Sequence, residues 1–114
     1  MGIRFVRQDE LPASNFSREL VGEEFGGVAA SVIFVDADPG RGPSLHKHPY
    51  AELFFILEGE GTFSDGKTER VAGPGEIVIV PPNEPHAFVN SGERRLRQID
   101  VHLSPRFQTE WLGG

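Results

Sequence analysis

Cysteine is absent from the chain. That excludes disulfide staples, thiolate metal ligands and a cysteine nucleophile, and it suits a reducing compartment. Long apolar runs are absent too. None approaches the roughly 20 residues of a membrane-spanning helix, and the opening stretch MGIRFVRQDELP has no apolar core of the kind a secretory signal carries. The expectation is a soluble cytoplasmic protein with no membrane partner. Positive charge is scarce, with 11 Lys and Arg against 17 Asp and Glu and a net charge of -6. Phosphate binding needs a basic face, so nucleic acid is not an expected partner. The one basic cluster, Arg94, Arg95 and Arg97, reads either as a solvated loop and strand start or as a patch for an anionic ligand. No internal repeat, low-complexity stretch or sustained helical period is visible.

What the chain does have is strand texture. Its 114 residues suit one ordinary domain, long enough to bury a core without cross-links. Apolar and β-branched runs alternate with Gly, Pro and Asp clusters. Strands are expected over 28–37, 52–59, 86–90 and 96–103. Residues 61–71 read as a hairpin turning at Asp65-Gly66. GEIVIVPP, residues 75–82, is nearly all apolar and reads as a strand buried on both faces. Residues 1–27 read as partly irregular, and FQTEWL, residues 107–112, as one helical turn. About eight short strands with this punctuation predict a sandwich or small barrel.

The stretch LHKHPYAE carries the chemistry. On a strand, residues i and i+2 share a face, so His46 and His48 present both imidazoles to one side. Their Cα atoms would be roughly 7 Å apart, within reach of one ion. Glu52 would lie about 13 Å beyond His48 on a straight strand. The chain must therefore turn between them, and Pro49 is placed to end the first strand. His86 follows a stiff Pro81, Pro82, Pro85 turn and opens another strand. Three imidazoles and a carboxylate form a sulfur-free donor set suited to Fe, Mn, Zn, Ni or Co.

Read from Gly40, GRGPSLHKHPYAELFFILEG places Gly40, His46, His48, Glu52 and Gly59 at the spacing of the first cupin motif. Read from Gly75, GEIVIVPPNEPHAFVN resembles the second, with Gly75, Pro81, His86 and Asn90 in place. Asn83 stands where the family usually has Gly; asparagine tolerates positive φ better than most residues, so the turn is expected to survive. The chain resembles a small single-domain cupin across a motif core of residues 40–90, about half its length. That resemblance implies an all-β double-stranded β-helix, or jelly-roll barrel, over 1–114. It also implies a divalent metal inside, held by His46, His48, Glu52 and His86.

Side chains sharing parity with those donors should line a pocket: Tyr50 at its mouth, with Phe54, Ile56, Phe88 and Asn90. In RQIDVHLSP, Gln98, Asp100 and His102 alternate with Ile99, Val101 and Leu103. The polar set faces either solvent or the interior. Inside, Gln98 would join the pocket, and Asp100 and His102 could act as a catalytic acid/base pair or orient the ligands. Phe107, Trp111 and Leu112 read as a cap on the barrel end or a contact in a homodimer, which the family often forms. The expected function is binding or conversion of a small organic molecule at the metal. A metal-dependent oxidoreductase (dioxygenase), isomerase or decarboxylase is favoured over a sugar- or metabolite-binding module or a purely structural metal. Fold alone does not choose between these.

Overall fold

A computed structural model describes residues 2–113, and strands dominate it. Two short 3-10 turns, Gln8–Glu10 and Gly22–Phe25, lie in the N-terminal third. The main sheet is six-stranded and antiparallel, in the order β1 (Ala13–Ser14), β2 (Ser17–Leu20), β3 (Ser31–Ala37), β10 (Leu96–His102), β5 (Glu52–Glu58), β8 (Ile77–Val80). A second set orders β7 (Glu69–Ala72), β6 (Gly61–Ser64) and β9 (Ala87–Asn90). A third pairs β11 (Glu110–Trp111) with β4 (His46–Lys47). The layers follow the expected jelly roll, but their hydrogen bonding runs in three separate sets rather than round one closed barrel.

The core lies between the layers and follows strand parity. On β5, Phe54 and Ile56 point inward beside Glu52, while on β10 Leu96, Gln98, Asp100 and His102 do. Antiparallel register sets Gln98 opposite Ile56, Asp100 opposite Phe54 and His102 opposite Glu52. Val35, Ala37, Val80, Phe88 and Leu96 complete the apolar part. Phe54 is 1% exposed and packs edge-on against Phe63 and Phe88; burying such a ring stabilises the fold by about 2–3 kcal/mol.

Three expectations need correction. The run at 75–82 is not buried on both faces: β8 is an edge strand, with Val78 and Val80 inward and Ile77 and Ile79 55% and 68% exposed. Residues 107–112 form no helical turn, because Glu110 and Trp111 pair with Lys47 and His46 instead. Trp111 and Leu112 do not cap an apolar end either, since both are exposed. The Asp65-Gly66 hairpin forms, with Gly66 at φ 96° and the Asp65 carboxylate accepting from the amides of Lys67 and Thr68. Of the Arg94, Arg95 and Arg97 cluster, Arg95 pairs with Asp36 and Asp38, and Arg97 with Glu58.

Candidate metal centre

Four donors come from three places in the chain. His46 opens β4, His48 follows it, the chain bends at Pro49 and Tyr50, and Glu52 opens β5. His86 lies just before β9, where it forms an antiparallel bridge with His46. The two residues exchange both backbone bonds, at 3.0 and 2.8 Å. Asn83 takes φ 66° and donates its amide to the His48 carbonyl at 2.7 Å, so the proline-rich turn is tied to the first motif. All four donor side chains are buried, and one ligand atom from each lies within 4.8 Å of the others.

The imidazoles are held from behind. Nδ1 of His46, His48 and His86 sits 2.7, 2.8 and 2.9 Å from the carbonyls of Ser44, Gln108 and Glu84. A carbonyl only accepts, so Nδ1 carries the proton and, in the neutral ring, Nε2 keeps its lone pair for the centre. Burial, aided by the neighbouring histidines, lowers the His46 pKa to about 4, so this ring is neutral near pH 7. Burial also works against charge on His86, but its bonds to Glu52 and the Glu84 carbonyl outweigh that and raise its pKa.

A cation fits this set. Buried Nε2 of His48 has no hydrogen-bond partner among the described residues: it lies 3.1 Å from Glu52 Oε1, but the approach is not aligned as a hydrogen bond. Buried polar atoms are rarely left so. A divalent ion accepts both the lone pair and the carboxylate, and the nitrogen–oxygen donor set suits the metals named from the sequence.

Behind Glu52 runs a second polar layer. Gln98, Asp100 and His102 all face inward and are at most 3% exposed. His102 Nε2 lies 3.0 Å from Glu52 Oε2, and its Nδ1 lies 2.7 Å from the Tyr50 hydroxyl, which accepts from the Gln108 amide. One proton arrangement satisfies this chain: Tyr50 donates to Nδ1, and Nε2–H donates to Oε2. Oε1 faces the centre, 3.0 Å from His86 Nε2 and 3.1 Å from His48 Nε2. Burial raises the Tyr50 pKa to about 12, so it stays a donor. Burial would push Glu52 up as well, but the His102 bond and the close His48 and His86 nitrogens hold its carboxyl well below the usual range. Asp100 goes the other way: burial, then the Glu52 charge, push its pKa well up, against one hydrogen bond from the Gln98 amide.

A cavity of about 410 Å³ opens on the centre. Of the pocket residues expected from sequence, Phe54 and Phe88 line it, as do Asp100 and His102. Four others do not. Tyr50 stands behind His48 and His102, stacked on the His48 ring. Ile56 belongs to the core. Asn90 is structural, donating to the carbonyls of Ala37 and Arg94 and accepting from Gly92. Gln98 lies beyond Asp100. Sequence reasoning missed Phe16, Phe107, Thr109 and Trp111 as wall residues. The last three share strand parity, a period-two signal that was available; Phe16 sits in polar chain with none. A larger cleft of about 750 Å³ lies against residues 6–9 and includes none of the four donors.

Comparison with known proteins gives a consistent result. The cupin domain model matches residues 33–102. A dimethylsulfoniopropionate lyase of Ruegeria pomeroyi is 41% identical over 61 residues, which are 53% of this chain and 29% of the lyase. An oxalate-binding protein of Thermotoga maritima is 33% identical over 64 residues, or 55% of this chain and 53% of that one. The chain thus spans less than two thirds of either relative. A solved cupin-like protein of Thermotoga maritima superposes with TM-score 0.77 at 25% identity, over 98% of this chain and 90% of that one.

Proposed function

The chain belongs to the cupin domain family, and we propose that His46, His48, Glu52 and His86 hold one divalent ion that meets a small organic molecule in the cavity. The observation that carries this reading is the partnerless buried Nε2 of His48, among imidazoles whose other nitrogens are already engaged. A bound ion supplies Lewis-acid polarisation of a ligand oxygen. The chain's own residues do the rest. His102, braced by Tyr50, positions Glu52 by occupying one carboxylate oxygen. Asp100 lies in the cavity wall, where a carboxyl can exchange a proton with a bound molecule.

Asp100 favours an enzyme, of oxidoreductase, isomerase or decarboxylase type, because it sets a titratable group in the cavity wall. The second reading, a binding or sensing module, is favoured by the similarity to a protein named for binding oxalate. We further read the chain as one domain that forms a homodimer through the outer face of the six-stranded sheet.

Elemental analysis of protein purified without added metal tests the centre. About one divalent ion per chain is expected, and His48→Ala should lower occupancy roughly tenfold or more while the far-ultraviolet circular dichroism is kept. Unchanged occupancy in that variant would remove His48 from the site.

A further inference from the structure

Outside the donor cluster the cavity wall is largely aromatic, with Ser14, Asn15, Ser17 and Thr109 as its uncharged polar groups. Phe16, Phe54, Phe88, Phe107 and Trp111 supply its rings. No Lys or Arg is among its lining residues, and the lining carboxyls are Glu19, Glu52 and Asp100. The Arg41 guanidinium reaches the Phe16 ring at 5.8 Å, but Arg41 is exposed and not part of the wall. A carboxylate or phosphate lying away from the ion would therefore be desolvated with no cation to meet it, and such burial is costly.

Trp111 adds direction. It pairs through the backbone with His46, and its ring lies 5.0 Å from the His46 ring, yet it remains 60% exposed. Phe107 stands edge-on to His102 at 4.8 Å. Both rings are placed by the C-terminal segment at the donor end of the cavity. Large rings left open beside a polar centre are surface that a flat ligand covers.

We propose that the site takes a small molecule with oxygen donors at the metal end and a ring-sized apolar body that carries no negative charge, resting on Trp111, Phe107 and Phe16. This rests on the metal reading above.

The test holds the metal-binding head constant and varies the body. Metal-loaded protein is titrated by calorimetry with acetylacetone, benzoylacetone, and benzoylacetone bearing a para-carboxylate or a para-trimethylammonium group. Trp111 is the only tryptophan, so its fluorescence gives a second readout. The phenyl compound should bind roughly tenfold or more tighter than the methyl compound, the para-carboxylate compound roughly tenfold weaker than the phenyl one, and the trimethylammonium compound tighter than the carboxylate one. Trp111→Ala should remove most of the phenyl advantage with metal content unchanged. Equal binding of phenyl and methyl, or a carboxylate body that binds as well as the phenyl or the trimethylammonium one, overturns the proposal and leaves the metal reading standing. A protein that takes up no metal ends both.

Discussion

Asp100 is a carboxyl enclosed by protein, with one hydrogen bond, from the Gln98 amide. Its folded pKa lies above its unfolded value of about 3.9. Above that value the unfolded chain has lost a proton that the folded chain keeps, so this group makes stability fall as pH rises, until the folded pKa is passed. Asp100→Asn keeps an acceptor for Gln98 and removes the titration. The melting temperature of the variant relative to the parent should therefore rise as pH is raised from about 4 toward neutral. A difference that stays flat across that range would show that Asp100 ionises as readily in the fold as outside it. The four donors were legible through the spacing of the two motifs that resemble cupins; His-x-His on one parity with a proline turn placed His46, His48 and Glu52 but did not reach His86. The orientation of Gln98, Asp100 and His102 was not. Ile99 and Val101, on the opposite face of β10, are themselves half-buried, so alternation alone does not say which face is interior.

At the scale of elements, edges decided what the sequence could tell. GEIVIVPP is apolar throughout, yet β8 closes one side of the six-stranded sheet and leaves Ile77 and Ile79 open. Hydropathy reports the composition of a strand, not the presence of a neighbour over it. FQTEWL has too few residues to separate a helical from a strand period, and its partner, Lys47 and His46, lies some sixty residues earlier. Turns were clearer, since they are local. Gly59 ends β5 at φ 80°, and a Cβ there would run into the Arg95 carbonyl backbone. Gly59→Ala must therefore strain the left-handed backbone and push β5 from the start of β10. A loss of about 2–4 kcal/mol is expected in urea unfolding. A loss under about 0.5 kcal/mol would mean that the approach of Arg95 is readily relaxed.

At the scale of the whole molecule, the outer face of the six-stranded sheet stands out. Register aligns two rows across four strands: Val32, Val101, Leu53 and Ile79, then Phe34, Ile99, Phe55 and Ile77. Every member is apolar and at least partly exposed. Near the N-terminus, Ile3 and Phe5 are 87% and 90% exposed. Apolar surface of this extent on a chain of -6 net charge is suited to a like surface rather than to a charged partner. Light scattering at micromolar concentration should give twice the 12.5 kDa chain mass. Ile79→Lys should shift it to one chain without loss of metal. A parent protein that runs as one chain would sink the dimer.

The reciprocal backbone bonds between His46 and His86 join the two motifs at the point where their side chains meet. An ion seated there would draw its ligands from two strands already fastened to each other, so its binding would not have to bring them together.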